Sequence, residues 1–130
     1  MTRSAEAIVA RARALIGVRF RPQGRSAGAG LDCVGLVGAA LEASPPSGYR
    51  PHGTTMAQVR AAMRRAGLSP AGAMAAGDVL VMKSGPQQLH LGIWTGEGLV
   101  HADAGLRRVV ERPGPPHWPV IGIWRRQEED

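Results

Sequence analysis

A single cysteine, Cys33, in 130 residues excludes an internal disulfide and any zinc cluster built from Cys-x-x-Cys pairs. Aromatic residues make up only 4%, so a core has to be assembled from Val, Ile, Leu, Met and Ala. No apolar run approaches the roughly 20 residues of a membrane-spanning helix. The N-terminal stretch is interrupted by Glu6, Arg11 and Arg13 and is no signal-peptide core. The chain therefore reads as made in the cytoplasm without a signal peptide and not spanning a membrane; action outside the cytoplasm would need separate delivery. Dense basic blocks are missing too. The formal charge of +6 favours anionic partners, but the pairs Arg64-Arg65, Arg107-Arg108 and Arg125-Arg126 are scattered and the tail Glu128-Glu129-Asp130 is acidic. Without an aromatic platform or a concentrated basic helix, nucleic acid is not an expected partner.

What is present is one domain's worth of chain, residues 1–130, with 44% hydrophobic and 20% charged residues. Ser4 to Ile16 reads as a helix capped by Ser4, with Ala7, Ile8, Ala12 and Leu15 on one stripe. After a Gly-rich loop from Arg19 to Gly30, Leu31 to Glu42 reads as a second helix with Asp32 as N-cap. Its glycines suggest close packing of a buried helix. Ser44-Pro45-Pro46-Ser47-Gly48 breaks it, and a third helix follows, capped by Thr54 or Thr55, with Met56, Val59, Met63 and Leu68 as its apolar positions. From Gly77 the period changes to two. Val79–Met82, Leu89–Trp94, Leu99–Ala102, Arg108–Val110 and Ile121–Trp124 read as five strands. Helices first and strands afterwards predict an α+β fold with an antiparallel sheet.

Three residues carry potential chemistry. Cys33, one position after the Asp32 cap, falls in the first turn of a helix, where free N–H groups and the helix dipole favour a thiolate. A lone Cys among aliphatics also serves as an inert core residue. His90 and His101 lie on neighbouring strands joined by Thr95-Gly96-Glu97-Gly98. With a two-residue loop at Gly96-Glu97, His90 falls opposite Asp103 and diagonal to His101, both imidazoles on one face. A three-residue loop would separate them. A thiol, a His base and a group orienting that base make up the arrangement of thiol hydrolases. Trp94 shares the parity of His90 and is a candidate cleft wall or buried sheet aromatic. Trp118 and Trp124 read as core or edge packing, and His52 and His117, beside prolines, as surface residues. A metal held by Cys33, His90 and His101 has the ligand types but not the spacing of a familiar zinc motif.

The segment Leu31-Asp32-Cys33-Val34-Gly35-Leu36-Val37 resembles the nucleophile helix of the NlpC-type bacterial cell-wall cysteine peptidases. Gly77-Asp78-Val79-Leu80-Val81 is similar to that family's Gly-Asp strand opening, and His90-Leu91-Gly92-Ile93-Trp94 with Val100-His101-Ala102 to its two-histidine hairpin. The order also matches, and the likeness runs from about Ile16 to Ala102, closest to short members associated with phages and phage-like particles. The resemblance implies a papain-like fold and hydrolysis of an amide bond in peptidoglycan stem peptides, of the D-glutamyl–diamino acid type, without metal or cofactor. Cys33 would be nucleophile, His90 base and acid, and His101 the orienting residue; Asp32, Phe20 and Trp94 would meet substrate. Two positions depart from the pattern: Val34 stands where many members have Ser, and Phe20 where many have Tyr. Those departures leave two alternatives, a non-catalytic structural or wall-binding domain of a phage tail-like assembly and an acyl or amide transferase of the same fold.

Overall fold

The computed structural model describes residues 2–44 and 53–127; Tyr49 and His52 lie outside them. Helix α1 spans Arg3–Ala14 and is capped by Thr2, whose side chain accepts from the Ala5 N–H at 3.0 Å. The expected cap, Ser4, lies inside the first turn, and the helix stops two residues before Ile16. A short hairpin, β1 (Arg25–Ser26) and β2 (Gly30–Leu31), forms within the loop expected from Arg19 to Gly30. Helix α2 (Cys33–Leu41) starts at the Asp32 cap, as read from the sequence, and eight of its nine residues are buried. Helix α3 (Met56–Arg65) opens on a capping box in which Thr55 and Gln58 satisfy each other's backbone N–H groups.

Six strands follow, β3 (Leu68–Pro70), β4 (Val79–Gly85), β5 (Gln88–Trp94), β6 (Gly98–Asp103), β7 (Arg108–Pro113) and β8 (Val120–Arg126). They form one antiparallel sheet in the order β3-β8-β4-β5-β6-β7. The fold is thus α+β and papain-like, with the five expected strands in place and a sixth added. The sixth corrects the assignment of Leu68 to the third helix. Gly67, at φ +83°, turns the chain, and Leu68 then pairs with Arg126.

Alternation sorts the sheet's side chains onto two buried surfaces. Val79, Val81, Leu91, Ile93, Val100 and Ala102 pack on Ile8 and Ala12 of α1 and on Leu36, Val37 and Ala40 of α2. Leu80, Met82 and Leu99 face the other way, against Trp94, Trp118, Val120 and Ile123. Burial on both faces is why Val79–Met82 reads as a continuous apolar run. Helix α2 approaches the loop before it closely enough that a Cβ on Gly35 would collide with the carbonyl of Gly24. Close packing of a buried helix is therefore the role of that glycine.

Candidate active site

Asp32 is 3% exposed and fully engaged. Its Oδ1 accepts from the Gly35 N–H at 2.9 Å and from the Arg25 guanidinium at 2.7 Å, and its Oδ2 from the Gln23 N–H at 2.9 Å. The carboxylate thus joins the start of α2 to the loop ahead of it. This fixes Cys33 at the first turn, where it lines a cleft of about 570 Å³ together with Phe20, His90, His101, Asp103 and Trp118. Among the described residues an apolar groove between α2 and α3 is of similar size, about 590 Å³, but no Cys, His, Asp or Glu lines it.

The two histidines reach the cleft through their hairpin. Thr95 and Gly98 close a two-residue loop, the Thr95 N–H donating to the Gly98 carbonyl at 2.9 Å, and Gly96 takes the φ of +96° that its first position demands. Thr95 Oγ1 accepts from the Glu97 and Gly98 N–H groups and donates to Glu111, which is held in turn by the fork of Arg13 from α1. The resulting pairs, Ile93 with Val100 and Trp94 with Leu99, have the register that two-residue loop predicts. Both imidazoles lie on one face: His90 Nε2 and His101 Nδ1 are 2.9 Å apart, with the rings nearly perpendicular at 87°.

Trp118 packs edge-on against both rings, with centroids 4.9 Å from His90 and 5.7 Å from His101. Sequence reasoning missed it as a cleft residue. It lies in the Pro115-Pro116-His117-Trp118-Pro119 loop, where no periodicity assigns it a face. Trp94 belongs elsewhere: it is not among the residues lining the cleft, and it packs on the cluster of Leu80, Met82 and Leu99. Shared parity with His90 put it on the right face of the sheet but at the far end of the strand. His117 is exposed, as expected, and Trp124 is core, 3% exposed. Phe20 does line the cleft.

The electrostatics depart from expectation. Burial pushes the Cys33 thiol up from 9.0 to about 12, against the backbone N–H groups of Leu91 and Val34, which pull it down. The helix end was expected to favour thiolate, but loss of water outweighs it. Burial also pulls His90 down to about 4, assisted by neighbouring His101. His101 is lowered by burial, with Asp103 opposing and Arg112 assisting. At neutral pH the cleft therefore holds a neutral thiol and two neutral imidazoles. Among the described residues no group of His, Cys, Asp and Glu has the arrangement of a metal site, and no helix is long and apolar enough to cross a membrane.

No family model matches the chain, and no curated protein does. Solved structures do. The peptidoglycan hydrolase RipB of Mycobacterium tuberculosis superposes with a TM-score of 0.64 at 22% identity, over 99% of this chain and 70% of that one. The NlpC/p60 domain of the peptidoglycan hydrolase SagA is 27% identical over 84% of this chain and 88% of its own, with a TM-score of 0.57. RipD of M. tuberculosis, a non-catalytic NlpC/p60 domain protein adapted to peptidoglycan binding, is 17% identical over 97% of this chain and 98% of its own, at 0.59. In fold, the chain is similar to the NlpC/p60 domains of these proteins.

Proposed function

We propose that the protein is a thiol hydrolase that cleaves an amide bond in peptidoglycan stem peptides, of the D-glutamyl–diamino acid type. The observation that carries this reading is the convergence of Cys33, His90 and His101 on one cleft, with the two imidazoles in hydrogen-bond contact. The roles follow from the chemistry. His90 engages His101 through Nε2, which leaves Nδ1 as the nitrogen for the thiol proton. As that proton moves, Sγ attacks the amide carbonyl. With the Gly35 N–H taken by Asp32, the N–H groups of Cys33 and Val34, which have no acceptor within the helix, are the candidate donors to the developing oxyanion. His90 then protonates the leaving amine, and a thioester remains on Cys33. In the second step water gives a proton to His90 as its oxygen bonds to the carbonyl carbon; the carbon–sulfur bond then breaks, and His90 returns the proton to Sγ.

The neutral resting pair is compatible with this sequence of steps. Moving the proton from Cys33 to His90 charges both groups at once, and their attraction in a buried cleft offsets much of the desolvation that holds each one neutral. Asp32, with three donors already bound, is better suited to fixing the nucleophile helix than to holding a substrate amine. Delivery to the wall by a phage tail or phage-like particle is part of the proposal and rests on the sequence resemblance alone.

The test is digestion of purified peptidoglycan, with soluble products identified by mass. The wild type should release stem peptides, and Cys33→Ala should lower that rate by on the order of 10⁴-fold. A second reading, wall binding without turnover, is favoured by the elevated thiol, by Val34 and Phe20, and by the precedent of RipD. Peptidoglycan binding that is equal in wild type and Cys33→Ala, with no product from either, would select it. Products carrying an added amine acceptor would instead identify a transferase.

A further inference from the structure

Among the described residues, two that line the cleft bury a side-chain polar atom without a hydrogen-bond partner, Ser84 through Oγ and His101 through Nε2, and His101 is only 1% exposed. The ring's other nitrogen, Nδ1, faces His90 Nε2 at 2.9 Å. Asp103 and Arg112 are the charged groups that act on this ring, and only Asp103, whose Oδ2 lies 4.0 Å from Nε2, can accept a hydrogen bond from it. Asp103 is oriented rather than loose. Its Oδ1 accepts the Leu106 N–H at 2.9 Å across the tight turn after β6, which leaves Oδ2 on the histidine side. A buried N–H without an acceptor is destabilising, so a carboxylate at this range has reason to close the gap.

We propose that Asp103 is the positioning residue of a Cys33–His90–His101–Asp103 chain, its carboxylate accepting the Nε2–H of His101 and thereby selecting that ring's tautomer. The consequence reaches Cys33 through two rings. With its proton on Nε2, His101 offers an Nδ1 lone pair to His90; His90 donates from Nε2 and keeps Nδ1 open to accept the thiol proton. With its proton on Nδ1, His101 donates to His90 Nε2 instead. That forces the His90 proton onto Nδ1, where it blocks acceptance from sulfur. One proton on the wrong nitrogen thus disables the base without moving an atom of the framework, the failure expected when a triad's orienting carboxylate becomes an amide.

This inference rests on the hydrolase reading for its effect on rate, but it is tested without it. In Asp103→Asn the side-chain oxygen can keep the Leu106 bond while the amide N–H₂ turns toward His101 Nε2, preserving the turn and inverting the hydrogen bond. Ring-nitrogen NMR at slightly alkaline pH should report the Nε2–H tautomer for His101 in the wild type and in Asp103→Glu. In Asp103→Asn it should report a shift toward Nδ1–H. For stem-peptide hydrolysis, kcat should fall by on the order of tenfold or more in Asp103→Asn with KM within about twofold, and recover in Asp103→Glu. The proposal is overturned if His101 stays Nε2–H in Asp103→Asn, or if that variant loses only thermal stability. If the wild type hydrolyses nothing, the tautomer still decides the role of Asp103, and the absent turnover counts against the hydrolase alone.

Discussion

Two regions of the molecule handle buried polar groups in opposite ways. At the sheet's start, Asp78 is 1% exposed and saturated: Arg125 grips it with two hydrogen bonds of 2.8 Å, and the Ala75 N–H adds a third at 2.8 Å. Asp32 is treated likewise. In the cleft, by contrast, Cys33 is held neutral by burial and His101 keeps a ring nitrogen without a partner. Charge with every donor in place makes scaffold. Polar groups that are dehydrated and incompletely paired are poised to react or to bind, because a substrate improves their situation.

The contrast can be broken most sharply at the sulfur. A thiol raised from 9.0 to about 12 carries about a thousandfold less thiolate near neutral pH, so iodoacetamide should label Cys33 far more slowly than a free thiol. Its rate should climb only above the ordinary thiol range. Rapid labelling at pH 6–7 that slows in His90→Ala would mean that a thiolate–imidazolium pair already exists, and the picture of a neutral cleft would be wrong. On the scaffold side, Arg125→Ala leaves the Asp78 carboxylate buried with one donor. We expect a loss of about 2–3 kcal/mol in urea unfolding, below the 3–5 kcal/mol typical of fully buried pairs because the Arg125 side chain is 47% exposed.

Acid separates the two regions further. The folded-state value for His90 lies below that of the unfolded chain, so its contribution is fully present above about 6.5 and is lost as pH falls toward about 4. Between those values the wild type should lose more stability than His90→Ala does, as read by chemical denaturation across the range. Equal slopes would mean that His90 titrates normally. The smallest effect is expected at Asp32→Ala, a loss of about 1–2 kcal/mol from the missing cap and its partners. Thermal melts measure it, and an unchanged melting temperature would sever the link drawn between the cap and the loop ahead of it.

Much of this was legible in the sequence where local rules act. The Asp32 cap follows from side-chain chemistry, and the meeting of His90 and His101 follows from counting across a two-residue turn. What escaped depended on partners far along the chain. Leu68 sits close enough to the helical spacing of Met63 to pass for another turn of α3, and its strand exists only because β8, 58 residues away at the Leu68–Arg126 pair, supplies the ladder. Trp118 was invisible for a similar reason, since a proline-bounded loop has no periodicity to show which surface it covers. The direction of the Cys33 shift was missed because position at a helix end is local, whereas burial is a property of the whole packed cleft.

The strand order has a consequence for synthesis. β8 joins β3 to β4, so a place inside the sheet is filled by the last of its strands in chain order. Until Val120–Arg126 emerges, β4 presents an open edge and β3 has no neighbour to hold it, while the histidine hairpin is already complete. A nascent chain stalled before β8 would thus carry both imidazoles on an unfinished sheet with an exposed, aggregation-prone edge. Assembly of the histidine hairpin and closure of the sheet are separate events in time, and the second waits for β8.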